Sequence, residues 1–159
     1  MDNKLKFIET SKLPTDIGEF TVHAFTDEKE SKDHLAICMG DLLTSEPVLS
    51  RIHSQCITGE SFFSMRCDCR YQLTESLKQI ADIGRGVVFY LQQEGRGIGL
   101  SNKIKAYSLQ DKGLDTVEAN HHLGFKEDER TYENVAGMIN FLAIKKLDLM
   151  TNNPKKIEA

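Results

Sequence analysis

Three of the four cysteines of this chain, Cys56, Cys67 and Cys69, lie close together in the sequence. Where no secretory signal precedes them, clustered thiols indicate metal ligands or catalysts more often than disulfides. Three thiolates on one zinc ion leave a fourth position open, and an open position is what a zinc ion needs to activate water. The spacing therefore predicts a zinc site with hydrolytic chemistry. A closed structural site with a further ligand, or three unrelated core thiols, stays open as an alternative.

A glycine-rich segment, residues 93–100 with the sequence QEGRGIGL, is the second chemical feature. It follows a predicted buried strand and opens a predicted helix, and a helix N-terminus offers free N–H groups to phosphate. It is not a dinucleotide fingerprint, because Leu100 stands where the third glycine would be. Taken alone, the segment is more simply interpreted as a tight turn with a solvated Arg96.

The polar stretch over residues 115–130 contains the adjacent pair His121 and His122, and then Asp128 and Arg130. Sequence neighbours usually point apart, so exposed histidines are expected. Asp128 and Arg130 could pair as a base and a phosphate clamp, but the residues alone favour a surface charge run leading into a helix. His53 lies three residues before Cys56, which on a continued strand directs it to the other face, so it is predicted as a site residue and not as a metal ligand.

The elements that position these groups alternate between strands and helices. Strands are predicted at residues 19–25, 34–39, 48–53, 86–91 and 147–150. Helices are predicted at residues 70–82, 100–110 and 132–142, with Gly84 ending the first, and a further helix starts at Pro154 behind Asn153. Cys67 and Cys69 are expected on an extended segment and Cys56 at a strand end. The pattern predicts an α/β fold, a single domain over residues 1–159 with mixed β-sheets and packed helices.

The composition is that of an ordinary globular protein of 159 residues, with 40% hydrophobic and 28% charged residues. The formal net charge of −4 argues against binding of nucleic acid over a broad surface. No apolar run is long enough to cross a bilayer, and no secretory signal is visible, so a cytoplasmic location is expected. Cys38 stands in an apolar run and is predicted to be a buried core thiol.

Five blocks of the chain, taken in order, resemble GTP cyclohydrolase II of riboflavin biosynthesis. They are RIHSQC at 51–56, CDC at 67–69, QEGRGIGL at 93–100, DTVEAN at 115–120 and TNNPKK at 151–156. The resemblance implies an enzyme that converts GTP to 2,5-diamino-6-(5-phospho-ribosylamino)pyrimidin-4-one, formate and pyrophosphate, the first step of that pathway. It also implies one zinc ion, Mg²⁺ with the triphosphate, and a homodimer.

Residue roles carried over by position follow from this resemblance. Cys56, Cys67 and Cys69 would bind the zinc ion, whose water would attack C8 of guanine, with Tyr107 nearby. The matched GTP-binding positions are Arg51, Ile52, His53, Ser54, Gln55, Gln72, Glu94, Gly95, Arg96, Thr116, Thr151 and Lys156. Glu94 would accept hydrogen bonds from guanine. Asp128 matches a proton acceptor, and Arg130 matches a nucleophile at the α-phosphorus. Because a guanidinium stays protonated, Arg130 is better suited to clamp a phosphate.

Family chains continue past Ala159, so a C-terminal segment is expected to be missing, and no second domain is expected ahead of residues 2–13. Two alternatives to the full reaction are kept. One is a GTP-binding regulatory module with a structural zinc, and the other is a partial cyclohydrolase that does not complete the reaction.

Overall fold

The computed structural model describes residues 5–151 and 153–158, and the strands in this part of the chain form one mixed sheet. The strands are β1 (Leu5–Pro14), β2 (Glu19–Asp27), β3 (Lys32–Met39), β4 (Val48–Ser54), β5 (Gly86–Leu91) and β6 (Leu147–Leu149). Their spatial order is β1-β2-β3-β5-β4-β6. The first three strands and β5 pair antiparallel, whereas β4 pairs parallel with both β5 and β6. The predicted α/β class with mixed pairing is confirmed.

The helices of the described residues are α1 (Ile57–Glu60), α2 (Cys69–Ile83), α3 (Leu100–Gln110), α4 (Thr116–His122), α5 (Glu133–Phe141) and α6 (Pro154–Glu158). α2 ends where Gly84 adopts φ 77°, and the Gly84 N–H bonds to the carbonyls of Ile80 and Ala81. The predicted helices at 70–82, 100–110 and 132–142 correspond to α2, α3 and α5, and α6 begins at Pro154 as predicted. None of the described helices is long and apolar enough to cross a membrane.

The central strand β5 explains how one sheet is covered on both faces. Val87 and Phe89 are fully buried in the larger core cluster, which includes Met138 of α5. Val88, which points to the opposite face, packs with Ile80 of α2. A strand that is buried on both faces has a continuous run of apolar residues, and this run allows a strand to be predicted at residues 86–91. Full burial of a side chain such as Phe89 contributes about 2–3 kcal/mol.

Three features of the fold were not assigned individually from the sequence. β1 is exposed over nearly its whole length, so it shows no alternation of apolar and polar residues. α1 has only four residues and α4 only seven. α1 starts immediately after Cys56, and α4 starts at Thr116, so both short helices position candidate site residues.

Candidate metal centre and active-site cleft

The three clustered cysteines converge in the structure. Their sulfur atoms lie within 4.8 Å of one another, and the Sγ atoms of Cys56 and Cys67 are 3.5 Å apart. Cys56 lies two residues after the end of β4 and caps α1, Cys67 lies in the loop before α2, and Cys69 is the first residue of α2. The predicted extended conformation of Cys67 and Cys69 is therefore wrong, because the chain turns into a helix at Cys69. The convergence that the spacing predicted is present, and these three thiols could hold a metal ion.

Gly59 shows that the space around the sulfurs is built for them. A Cβ atom added at Gly59 would lie 2.8 Å from Cys67 Sγ and 3.3 Å from Cys56 Sγ. Any larger residue at this position of α1 would push into the cluster. Three sulfur donors at this separation suit a soft or borderline cation that prefers tetrahedral coordination, so the donor set fits zinc.

Lys103 of α3 reaches the same cluster. Its Nζ atom donates to Cys56 Sγ at 3.0 Å and to Glu94 Oε1 at 2.6 Å, and the residue is only 9% exposed. Burial alone would lower the pKa of Lys103, but its bonds with Glu94 and Cys56 raise the pKa above its ordinary value. For Cys56, burial would raise the pKa, yet the bond from Lys103 and weaker bonds nearby lower it. The ammonium group thus favours the thiolate form of Cys56.

The pKa values of Cys69 and Cys38 are raised, in contrast to that of Cys56. Burial, together with contacts to the two other clustered cysteines, raises the pKa of Cys69. A bound cation would reverse that preference, because metal coordination requires the thiolate. Cys38 lies apart in β3, is 4% exposed, and has its pKa raised to about 12 by burial. Its prediction as a core thiol is confirmed.

The glycine-rich segment forms the turn between β5 and α3, as predicted. Gly95, Arg96, Gly97 and Gly99 all have positive φ, between 59° and 94°. Only glycine adopts φ near 90° without strain, and at Gly97 the lack of a side chain is also needed sterically. A Cβ atom there would lie 3.0 Å from the backbone carbon of Glu129. The turn is therefore packed against the segment that carries Asp128 and Arg130.

Asp128 and Arg130 form a two-pronged ion pair beside the cleft. Arg130 Nε donates to Asp128 Oδ1 at 2.9 Å, and Arg130 Nη2 donates to Asp128 Oδ2 at 2.7 Å. The two side chains are only 15% and 11% exposed. The interpretation of these residues as a surface charge run is wrong, because both side chains are largely withdrawn from solvent. Burial would lower the pKa of Arg130, but its bond with Asp128 raises it, so the guanidinium stays charged.

These groups border a cleft of about 750 Å³, a volume suited to a nucleotide-sized ligand. Its lining includes most of the residues predicted for the site: Ser54, Gln55, Cys56, Cys67, Cys69, Gln72, Glu94, Gly95, Arg96, Tyr107, Thr116 and Arg130. Arg66, Asp68, Gln93, Lys103 and Asn120 also line it and were not assigned to the site. The remaining predicted residues, Arg51, Ile52, His53, Asp128, Thr151 and Lys156, are not part of this lining.

His53 and Arg51 belong to a hydrogen-bonded network next to the cysteines. His53 is 2% exposed, and its Nε2 lies 2.6 Å from Glu60 Oε1. Glu60 also accepts the Cys56 N–H at 3.1 Å and the Tyr90 hydroxyl at 2.5 Å. Arg51 donates to His53 Nδ1 and to Gln72 Oε1. His53 therefore contacts Glu60 and does not line the cleft. Through Glu60, which also accepts the Cys56 N–H, His53 helps to orient the chain around Cys56.

Lys156 belongs to α6 and contacts β4. Its Nζ donates to the carbonyl of Ile52 at 2.6 Å. Burial, and then the charges of Arg130 and Arg51, lower its pKa to about 8. Thr151 accepts the N–H of Asn153 at 3.0 Å. A cationic group made of Arg51, Arg130 and Lys156 is thereby assembled from three distant parts of the sequence.

Tyr107 stands close to the thiol cluster. Its hydroxyl lies 3.2 Å from Thr58 Oγ1, which lies 3.7 Å from Cys56 Sγ. The Arg66 guanidinium stacks over the Tyr107 ring at 4.6 Å and pairs with Asp111. Both oxygens of Glu94 are engaged as well, one by Lys103 and the other by the Ile57 N–H at 2.9 Å.

Thr116, His121 and His122 belong to α4. Asp115 caps this helix through a reciprocal pair of bonds with Glu118, and Thr116 is its first residue, at the rim of the cleft. The two histidines are exposed in its last turn, as predicted.

A cluster of three thiols at a cleft lined by arginine and lysine side chains fits a metal-dependent enzyme. A family model described as GTP cyclohydrolase II matches residues 6–159. The chain belongs to the GTP cyclohydrolase II family of enzymes.

The relatives agree with this assignment. The chain is 54% identical over 155 residues to a GTP cyclohydrolase-2 of Shewanella amazonensis, which covers 98% of this chain and 76% of that protein. It is 56% identical over 155 residues to a GTP cyclohydrolase-2 of Teredinibacter turnerae, which covers 98% of this chain and 78% of that protein. Among solved structures, a two-domain 3,4-dihydroxy-2-butanone 4-phosphate synthase from A. baumannii has a TM-score of 0.58 at 16% identity. That match covers 96% of this chain and 35% of the other, and it shows the fold alone.

Proposed function

We propose that this protein is a zinc-dependent hydrolase of GTP that acts in riboflavin biosynthesis. It opens the imidazole ring and releases formate and pyrophosphate, leaving 2,5-diamino-6-(5-phospho-ribosylamino)pyrimidin-4-one. The observation that carries the proposal is the convergence of three thiols at a nucleotide-sized cleft in a chain of this family.

Cys56, Cys67 and Cys69 are proposed as the zinc ligands. Zinc held there would supply a Lewis acid that activates water for attack on the purine ring. Tyr107 is proposed to act near that point, because its hydroxyl is linked through Thr58 to Cys56. A tyrosine hydroxyl both donates and accepts hydrogen bonds, so it can orient a water molecule or a ring nitrogen.

The triphosphate would be bound by cationic side chains. Arg96, on the glycine turn, and Arg130 both line the cleft. Lys156 and Arg51 add charge near Arg130, and the pKa of Lys156 is lowered first by burial and then by the charges of these two arginines. A bound phosphate chain would offset this mutual repulsion. Mg²⁺ would enter with the substrate, because it prefers phosphate oxygens and water as ligands.

Arg130 is proposed as a clamp on the α-phosphate and Asp128 as the group that positions it. Two parallel bonds fix the guanidinium plane, and its raised pKa keeps the charge in place. A deprotonated guanidine nucleophile would require the opposite shift.

Glu94 is proposed to recognise guanine, with Gln72, Gln55 and Thr116 as further polar contacts. Each carboxylate oxygen can accept a second hydrogen bond, so the bonds to Lys103 and Ile57 leave capacity for the substrate. A carboxylate at this position favours the donor groups of guanine over the acceptor N1 of adenine.

The decisive experiment is a formate assay on zinc-loaded protein with GTP, together with mass spectrometry of the products. Release of formate and pyrophosphate with the diaminopyrimidine product supports the proposal. Pyrophosphate or a ring-opened formyl product alone would identify a partial cyclohydrolase. Tight GTP binding with bound zinc and no formate would identify a regulatory module. Homodimer formation, cytoplasmic location and a single domain over residues 1–159 stay predictions.

A further inference from the structure

Lys103 is the one buried lysine among the residues whose exposure the structure describes. Its ammonium group lies between Cys56 Sγ at 3.0 Å and Glu94 Oε1 at 2.6 Å. Withdrawing an ammonium group from water is costly unless charged or hydrogen-bonding partners replace the solvent. Both partners here are anionic when Cys56 is a thiolate, so the site is arranged around the positive charge.

A zinc ion bound by the three cysteines would leave excess negative charge beside Lys103. Three thiolates exceed the charge of a divalent cation by one unit, and the Glu94 carboxylate adds a second negative charge within reach. Glu94 and Lys103 have side chains only 10% and 11% exposed, so water screens this charge poorly. A cation fixed beside Cys56 removes part of the repulsion.

The same lysine ties together the segments that carry the ligand. Glu94 Oε2 accepts the N–H of Ile57, the residue that follows Cys56. Lys103 therefore holds Cys56 in two ways. It bonds directly to the sulfur, and through Glu94 it is linked to the backbone of Ile57, the next residue. Groups that hold a ligand in this way commonly change metal affinity by 10- to 100-fold when removed.

We propose that Lys103 is a positioning residue of the metal centre, which orients Cys56 and offsets the excess negative charge of the thiolates and Glu94. The inference rests on the three cysteines binding zinc, which is part of the proposed function. It adds a residue and a role that the sequence motifs do not assign.

The test compares zinc binding by Lys103→Met with that of the parent protein, measured by competition with a chromophoric chelator. We expect Lys103→Met to bind zinc about tenfold more weakly. In the cobalt-substituted proteins, the sulfur-to-metal absorption band should shift, because the hydrogen bond to one sulfur is lost. Lys105→Met is the matched control, since Lys105 is exposed two residues further along α3. It should leave both the zinc affinity and the band unchanged.

Two further variants separate charge from folding. Glu94→Gln combined with Lys103→Met removes the uncompensated carboxylate, so zinc affinity should recover in part. Lys103→Gln keeps a hydrogen-bond donor without the charge, so its zinc affinity should lie between those of the parent and Lys103→Met. It also serves as the test variant if Lys103→Met does not fold. A zinc affinity within twofold of the parent, with an unshifted cobalt band, in Lys103→Met or Lys103→Gln would overturn the inference. Absence of zinc binding by the parent protein would instead refute the proposed function.

Discussion

The N–H of Glu129 donates a hydrogen bond of 3.0 Å to the carbonyl oxygen of Arg96. This bond joins the glycine-rich turn to the segment that carries the Asp128–Arg130 pair. Gly97 lies against the backbone of Glu129 at the same place. Two stretches that are more than thirty residues apart thus form one wall of the cleft, and each holds the other in position.

Gly97→Ala should disturb that wall. The added Cβ atom meets Glu129 at 3.0 Å, and φ at this residue is +94°, so both a contact and a conformational strain are introduced. We expect a loss of about 1–2 kcal/mol in the free energy of unfolding from the strain. Turnover should fall further, because small misplacements of binding groups can cost about 100-fold. The measurements are urea unfolding and kcat.

Gly99→Ala is the control for Gly97→Ala. Its φ is +87°, but no atom lies within 4 Å of the added Cβ, so it carries the strain without the contact. If the two variants lose turnover equally, packing of Gly97 against Glu129 is not what positions Arg130.

Cys67→Ser should abolish both zinc binding and formate release. It removes one of three sulfur donors, and a serine hydroxyl is a much weaker zinc ligand than a thiolate. Zinc content after dialysis is measured by elemental analysis, and formate by an enzymatic assay. Cys38→Ala removes a thiol from β3 and should keep both properties. Equal zinc content in the two variants would contradict the assignment of the ligands.

Arg130→Lys should lower kcat about 100- to 1,000-fold, the typical cost of losing an aligned charge-stabilising donor. Lysine keeps the charge but lacks the planar fork that binds Asp128 through two parallel bonds. Steady-state kinetics with GTP give the effect. Arg85→Lys, at a site whose arginine contacts Thr44, should leave kcat unchanged. Near-normal turnover of Arg130→Lys would exclude both the clamp and the nucleophile.

Because of Lys156, the free energy of unfolding should change with pH in the alkaline range. Its pKa is about 8 in the folded protein against an ordinary value of 10.5, so the unfolded chain binds more protons between these values. The free energy of unfolding should therefore rise as the pH increases from 8 to 10.5, by at most about 3 kcal/mol from this group. Urea unfolding at several pH values, with the parent protein and Lys156→Met compared, isolates its share.

The free energy of unfolding of Lys156→Met should not show this rise. Below pH 8 the variant should be more stable than the parent, because it lacks the buried charge that the parent carries there. Lys145→Met, in which an exposed lysine is replaced, should follow the parent curve. A parent curve that coincides with that of Lys156→Met across the whole range would show that the pKa is not lowered.

Elements that are strongly periodic or bounded by clear stops were predictable from the sequence. α2 carries an apolar stripe and ends at Gly84, and β5 is a short apolar run, so both were located within about two residues. α4 was missed although Asp115 and Glu118 carry a capping-box spacing, which is a usable local signal. β1 gave no such signal, because its side chains are exposed on both faces.

The site was predictable where it depends on residue type and spacing, and not where it depends on tertiary packing. The convergence of the cysteines followed from their clustering. Asp128 and Arg130 are largely buried by tertiary packing, and no local pattern reveals this burial. Lys103 had a weak signal, since it lies one turn before buried Ala106 on the inner face of α3.

Cys56 and Cys67 stand at the two ends of a segment that displays Phe62, Phe63 and Met65 on its surface, the last of them 99% exposed. A cation shared by these two thiols would be a reversible cross-link that closes the segment into a loop. Its release would raise the chain entropy of a stretch rich in large apolar groups. Zinc depletion would then promote aggregation and cutting by chymotrypsin at the phenylalanines, which couples metal supply to the lifetime of the protein.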